Sequence, residues 1–586
     1  MLVLLRLAPY FKKYKYRFLL GILFVTISNY CSTAIPPVVG DIINGLRHQH
    51  ANTDFITDAI FTILLLTAGS GVFMMLTRMT IIVGSRLIEY DLRNDLLRAI
   101  ERQNVSFFHE YSTGSLMAHA TNDVSALREF IGPAIMYSAN TITTFIFAMS
   151  LMVHLNASIT FVALFPLPIM AYATYAIGKK VHFAFKDVQE HFGSLTSQVQ
   201  EALSGVRVVR AYSREEYERI GFNKSSTEYS QKNLRLAKIQ SLTMPAMMFL
   251  VGLSNVLVLG YGGLQVMNGK ALLGDLSQFF IYLNQLIWPV AAIGWVMNLI
   301  QRASASTIRL TAILNSQPEI KDNRNTDRTI TSVNGDISFS GVSFRYKSRI
   351  ASVLSDITLH IPNGSSLGIV GATGNGKSTL VNLIPRLQDV TSGTILIDGH
   401  DITAIPLQTL RNTIGIVQQE PFLFSLSIAD NIRFGKPDAT EDEIIQASKL
   451  AALHDDISSL HDGYNTIVGE RGITLSGGQK QRTAIARAIV REPKILILDD
   501  ALSAVDTATE EKILNGLTEL MEQRTTIIIA HRLSTVKNCT KIIVLDEGSI
   551  AEEGTHSELI AQGKLYAEMY ERQLLEEEIG EYGTLN

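Results

Sequence analysis

Six stretches of roughly 20 apolar residues, each long enough to cross about 30 Å of hydrocarbon, recur before residue 305 of this 586-residue chain. They lie near 17–40, 56–83, 130–154, 157–178, 242–267 and 276–300. A backbone surrounded by lipid must satisfy its own hydrogen bonds, so these stretches are expected to be helices. The bulk composition agrees: 47% of residues are hydrophobic and 18% charged, below the usual quarter for soluble domains. The net charge of −4 leaves no electrostatic footprint for nucleic acid, which is excluded as a partner.

The links after the second and fourth spans are long, polar and helix-patterned, and they hold most of the cations, in "SRLIEYDLRNDLLRAIERQ" and "RVVRAYSREEYER". The short links carry little beyond Arg47 and Lys270. The positive-inside bias puts both termini in the cytoplasm. The apolar run after Lys12, Lys13, Lys15 and Arg17 is too long for a signal core and has no small-residue cleavage motif, so it is expected to stay in the mature chain. Pro36, Pro37, Pro166, Pro168, Pro245 and Pro289 mark kinks, either around a cavity or from plain packing. Asn29, Asn140, Asn255, Asn284, Gln285 and Asn298 face a substrate path or bond between helices. Met74, Met75, Met149, Met152, Met244, Met247 and Met248 line an adaptable wall or simply fill gaps. No span carries a buried acidic relay, which argues against a proton-coupled pump. Cys31 and Cys539 are the only cysteines, so a disulfide framework is excluded and both read as packing thiols.

The segment 316–335 is a polar linker, and from 336 to 586 short apolar strands alternate with glycine turns and helices, an α/β pattern. In "SLGIVGATGNGKSTLV" a strand precedes Gly371, Thr373, Gly374, Asn375, Gly376, Lys377, Ser378 and Thr379, and a helix follows. Glycines there let backbone N–H groups turn inward, so that they and the helix N-terminus meet phosphate oxygens. Lys377 adds charge toward the β and γ phosphates, and Ser378 is a ligand for Mg²⁺. The strand "ILILD" ends in Asp499, a second Mg²⁺ ligand acting through water.

Taken together, "LSGGQKQR" (Leu475 to Arg482), Tyr346 in "FRYKS", Gln419 in "IVQQEPFLF", Asp506 in "SAVD" and His531 in "IIIAHRLS" resemble the ATPase domain of ABC transporters. The resemblance covers essentially the whole chain, since the front half resembles the exporter type of ABC membrane domain. It implies a multidomain protein: an all-α six-helix transmembrane domain over 1–315, a linker over 316–335, and an α/β P-loop ATPase domain over 336–586. It implies ATP and Mg²⁺ as cofactors. By the same resemblance Tyr346 stacks on adenine, Gln419 senses Mg²⁺ and the γ-phosphate, and His531 contacts the γ-phosphate. Ser476, Gly477 and Gly478, followed by Gln479, cap ATP held by a second ATPase domain, so a second half-transporter is implied. The loops 107–123 and 201–218 resemble coupling loops, and "RLAPYFKKYKYR" resembles an interfacial elbow helix.

In that family the residue after the Mg²⁺ aspartate is a glutamate, the general base; here it is Asp500. A base must come within roughly 2.6 to 3.2 Å of its proton, so an arm one methylene shorter is expected to bind ATP well and hydrolyse it slowly. A slow site beside an intact signature loop resembles one subunit of heterodimeric bacterial exporters, most closely the multidrug-resistance-like MdlA type. A slow homodimer, a lipid or lipid-linked-molecule flippase, and an ATP-gated channel or regulator remain the alternatives. Hydrophobic or amphipathic compounds, drug-like or lipid-like, are the expected cargo, membrane lipid the expected surroundings, and the bacterial inner membrane the expected place.

Overall fold

A computed structural model describes residues 2–47, 52–347, 351–469, 472 and 474–584. The chain forms two compact units, one of Met1–Arg102 and Tyr111–Ser316, the other of Gln103–Glu110 and Gln317–Asn586.

The first unit is helical throughout its described residues: α1 (Lys15–Thr33), α2 (Ile35–Arg47), α3 (Thr53–Thr77), α4 (Val83–Glu101), α5 (Ile135–Leu164), α6 (Pro166–Ser204), α7 (Glu215–Ser241), α8 (Thr243–Leu257) and α9 (Leu273–Leu314) are its longer pieces. Five helical stretches among the described residues are long and apolar enough to cross a membrane. The third of these, Thr113–Ser204, covers both expected spans 130–154 and 157–178, which accounts for six spans becoming five stretches. No loop separates that pair. The helix breaks at Asn156 (φ −162°, ψ 108°), whose Oδ1 accepts from the N–H groups of Ser158 (3.0 Å) and Ile159 (3.1 Å). The asparagine serves as a cap inside a continuous run, satisfying donors that the break would leave unpaired.

Of the six prolines of the expected spans, all but Pro289 fall in a first turn, where a helix tolerates them. Pro36 sits in the first turn of α2, Pro166 and Pro168 in that of α6 and Pro245 in that of α8, while Pro289 lies inside α9. The first three places lack an intrahelical N–H partner anyway. The elbow segment Ala8–Lys13 is pinned to α4, with Tyr10 donating to Asp95 (2.8 Å) and Lys13 and Tyr14 both reaching Asp91 (2.7 and 3.0 Å). Two of the polar span residues bond between helices: Asn29 donates to the Asn140 carbonyl (3.2 Å) and to Thr143 (2.6 Å), and Gln285 donates to the Ser32 carbonyl (3.3 Å). Asn284 bonds within its own helix, to the Phe280 carbonyl. Met152 is fully buried, whereas Met75, Met244 and Met248 are exposed on the single chain.

The second unit is built on two sheets. An antiparallel sheet has the order β2-β1-β4-β5, from β1 (Ile337–Phe344), β2 (Leu354–Ile361), β4 (Ser392–Ile397) and β5 (His400–Asp401). The larger sheet has the order β10-β9-β3-β8-β7-β6, from β3 (Ser366–Val370), β6 (Ile414–Val417), β7 (Ile495–Asp499), β8 (Thr525–Ile529), β9 (Lys541–Asp546) and β10 (Ser549–Gly554). All its pairs are parallel except the edge pair of β9 and β10. β7 and β8 are buried at every residue. That explains their unbroken apolar or β-branched runs, since a parallel strand covered on both faces has no polar side to alternate with.

Candidate functional site

A parallel sheet points all its carboxyl ends the same way, and here those ends carry the motifs. β3 opens into the Gly371–Ser378 loop, β6 leads to Gln419, β7 ends in Asp499 with Asp500 just beyond it, and β8 leads to His531. Because β8 lies between β3 and β7, the four arrive side by side in the order loop, His531, aspartates, Gln419. Crevices at such strand ends are where α/β sheets bind ligands.

The glycines of the loop answer to particular neighbours. Gly371 has φ +145°, and a Cβ there would lie 2.2 Å from the Leu545 carbonyl oxygen. Gly376 (φ +90°) precedes helix α10 (Lys377–Leu383), and a Cβ there would sit 2.9 Å from the Val353 carbonyl oxygen. Only glycine fits both places. Asn375 ties the loop to β9, donating to the Leu545 carbonyl (3.0 Å) and to Asp546 (3.2 Å). Thr373 and Gly374 form the exposed tip.

Lys377 is buried and donates to the carbonyls of Gly371 (2.7 Å) and Ala372 (2.9 Å). Burial draws its pKa down, against the opposing charges of Asp500 and Asp499. Ser378 Oγ donates to Asp499 Oδ1 at 3.0 Å. Burial holds the Asp499 carboxyl above its ordinary range, with the Asp500 charge adding to it while the Ser378 bond and Lys377 oppose. Such a carboxyl is stabilised in its charged form by an added cation.

Asp500 stands in the left-handed backbone region at φ +48°, its N–H bonded to the Ile529 carbonyl (2.9 Å). Gln419 Nε2 donates to Asp500 Oδ2 at 3.3 Å, and His531 Nε2 lies 4.0 Å from the same oxygen. Half-buried Tyr346 shares a hydrogen bond of 3.1 Å with Thr379, and its ring meets Phe344 edge-on at 4.9 Å. Thus the loop, Asp499, Asp500, Gln419, His531 and Tyr346 converge.

The Ser476 turn is separate. Ser476 caps helix α11 (Gly477–Ile489), accepting from the Gln479 N–H (3.2 Å) while the Gln479 side chain accepts from the Ser476 N–H (3.0 Å). Gln479 also donates to Asp456 (3.3 Å), so its side chain is spent on holding the turn. A Cβ on Gly478 would lie 3.0 Å from the Ala504 carbonyl oxygen. Among the described residues no hydrogen bond joins the Ser476–Gly478 turn to the Gly371–Ser378 loop.

Sequence reasoning passed over Gln481. This buried side chain donates to Ser503 (3.1 Å) and accepts from the Ala504 N–H (2.9 Å), locking α11 to the segment that follows Asp500. Its one signal was a second glutamine in "LSGGQKQR". Asp506 closes that segment by capping α12 (Thr507–Glu522), accepting from the Thr509 N–H at 3.0 Å.

Two family models match the sequence of this chain. The model described as "ABC transporter transmembrane region" matches residues 18–290, and the one described as "ABC transporter" matches 354–503. A Bacillus subtilis protein, "Probable multidrug resistance ABC transporter ATP-binding/permease protein YheI", is 38% identical over 575 residues, 98% of each chain. This chain is an ABC transporter. As such it joins a membrane unit to an ATP-hydrolysing unit and is a multi-pass membrane protein of the exporter type. "Multidrug resistance-like ATP-binding protein MdlA" of Escherichia coli is 36% identical to this ABC transporter, over 97% of this chain and 96% of the relative. The "ATP-dependent lipid A-core flippase" of Syntrophus aciditrophicus is 37% identical, over 93% and 90%. Among solved structures, "Structure of a bacterial Atm1-family ABC exporter with ATP bound" superposes with a TM-score of 0.80 at 27% identity, covering 95% of this ABC transporter and 98% of that chain.

Proposed function

We propose that this chain is one half of a dimeric exporter that moves hydrophobic or amphipathic compounds across the bacterial inner membrane, with its ATPase unit and both termini in the cytoplasm. The partner is a second, non-identical half-transporter, and this chain holds the slow site of the pair. The relatives named for multidrug resistance support the cargo class, and the crowding of cations in the long links supports the orientation.

Backbone N–H groups of the Gly371–Ser378 loop and the N-terminus of α10 bind the phosphates, and Tyr346 lies against adenine. Lys377 exchanges its two carbonyl partners for β and γ oxygens. Ser378 Oγ and Asp499 are hard oxygen donors 3.0 Å apart, a pair that suits Mg²⁺. When bound, Mg²⁺ would neutralise charge on the β and γ oxygens. In hydrolysis the attacking water forms a bond to the γ-phosphorus, the bond to the bridging oxygen breaks, ADP leaves, and a base takes the water proton. Asp500 holds the base position, and Gln419 and His531 flank its carboxylate.

The observation that carries the asymmetric reading is the short Asp500 arm, tethered by Gln419, beside an intact Ser476 turn. A displaced base forfeits much of the roughly 10²- to 10⁴-fold that general-base catalysis contributes. The Ser476 turn, bonded only within its own surroundings, would cap ATP in the partner. Hence Asp500→Asn is expected to cost little steady-state ATPase activity in the assembled complex, whereas Ser476→Arg is expected to remove most of it. If Asp500→Asn abolishes turnover as completely as Ser476→Arg, the asymmetric reading falls. The flippase among the relatives favours a second reading, a homodimer that moves lipids or lipid-linked molecules, in which Asp500 is the working base.

A further inference from the structure

The loop that carries His531 is held from behind by two residues on different helices, neither of them in a recognised motif. Its side chain is about half exposed, at 45%. A cavity of about 160 Å³ opens beside it, lined by Asp500, His531, Arg532, Glu510 and Thr535 among others. Ala530 and Leu533 anchor the two sides of this loop in the core, and polar ties set the two residues between them. The carboxylate of Glu510, on α12 and only 4% exposed, accepts from Arg532 Nη1 at 2.9 Å and from Thr535 Oγ1. Gln573, on the C-terminal helix α13 (Leu565–Thr584), grips the backbone on either side of Arg532. Its Nε2 donates to the His531 carbonyl (2.5 Å), and its Oε1 accepts from the Leu533 N–H (2.8 Å).

The C-terminal helix is itself anchored. Tyr566 is fully buried, with its hydroxyl 2.8 Å from His556 Nδ1, and Met569 and Tyr570 pack on the same core. Residues 566, 569, 570 and 573 follow the spacing of one helical face, so a fixed helix presents Gln573 to the loop. Two hydrogen bonds to a main chain leave that stretch little freedom, much as one rung of a sheet would.

We infer that Gln573, with Glu510, is a positioning residue for His531, making the C-terminal helix part of the apparatus that tells ATP from ADP. This rests on the reading that His531 contacts the γ-phosphate. Glu510 starts four residues after Asp506, so the same ties connect the segment behind Asp500 to His531. Neither tie requires hydrolysis at this site, and the inference holds for a slow or a fast Asp500.

The test is competition by ATP or ADP, with Mg²⁺, against azido-ATP photolabelling of this subunit in the assembled full-length transporter. Gln573→Met keeps the size of the side chain and removes both hydrogen bonds. It is expected to weaken ATP binding about three- to tenfold, the effect of one neutral hydrogen bond, and to leave ADP binding unchanged. Glu510→Gln is expected to shift the ATP-to-ADP ratio in the same direction, and thermal melting checks that each variant is folded. An unchanged ratio in folded Gln573→Met overturns the positioning role, as does an equal loss for both nucleotides. His531→Ala separates the two layers: if it alters the ratio and Gln573→Met does not, only the positioning role is lost. If His531→Ala itself leaves the ratio unchanged, the γ-phosphate reading is lost and this inference with it.

Discussion

Asp500 shows how much one residue's chemistry depends on neighbours that are distant in sequence. Its identity is plain in "ILILDD", but its contact with Gln419 joins residues 81 apart and its backbone sits at φ +48°. Aspartate is among the residues that tolerate that region. Gln479 and Gln481 depend on their surroundings in the same way. Gln479 bonds back to the N–H of Ser476 and holds that turn, while Gln481 locks α11 to the Asp500 segment. At the same scale Cys539 is 6% exposed, and burial pushes its thiol up to about 12, so it stays protonated and shielded well above neutral pH. With Cys31 replaced by serine, a thiol reagent at pH 8 is expected to leave the folded protein unlabelled and to label one site after denaturation. Labelling of the folded protein at the rate of a free thiol would refute the packing role.

The helices reveal what hydropathy averages conceal. The third and fourth expected spans form one run because Asn156 caps a break that a window of apolar residues registers only as a dip. Likewise α2 and α9 meet at glycines whose purpose is invisible in either segment alone. A Cβ on Gly274 would lie 2.1 Å from the Gly40 carbonyl oxygen, and the Gly274 N–H donates to Asn44 at 2.7 Å. Farther along, Tyr282 donates to the Thr33 carbonyl (3.2 Å) and Gln285 to that of Ser32. Small residues let helix backbones approach closely in this way. Gly274→Val is expected to lower the melting temperature of the purified protein, at a cost of about 1–3 kcal/mol for a collision with backbone. Gly294, on the same helix, has nothing within 4 Å of an added Cβ, so Gly294→Val is the control expected to melt like the parent. Equal melting of the two variants would mean that the close crossing contributes nothing.

At the scale of the whole molecule, the proposed orientation rests on where the cations lie. Single cysteines placed at Leu46 and Lys270, after removal of Cys31 and Cys539, are expected to react with an impermeant thiol reagent in intact cells. Those at Thr113 and Ser213 are expected to react only after the membrane is opened. All four positions are exposed, so access to the reagent and not burial decides the outcome. The reverse pattern would turn the chain over, against the bias of Lys and Arg in the long links. The second unit includes Gln103–Glu110, the start of the first long link, where Asn104 donates to Glu319 at 3.2 Å. A boundary drawn through the linker alone misses that segment, because contact and not chain order groups it.

What the sequence determined by itself is whatever short-range chemistry dictates: apolar runs that lipid forces into helices, a glycine loop ahead of a helix, motifs in a fixed order, and two adjacent aspartates at 499 and 500. These are properties of contiguous residues and need no partner to be read. What only the tertiary structure decided is which of those pieces meet. The motif-bearing strands run β3, β6, β7, β8 along the chain but lie as β3, β8, β7, β6 across the sheet. That reordering sets His531 between the phosphate loop and the aspartates, and the packing of α13 on the core brings Gln573 onto its backbone. Parallel pairing over long separations is chosen by burial of both sheet faces at once, a condition that no single stretch of sequence contains.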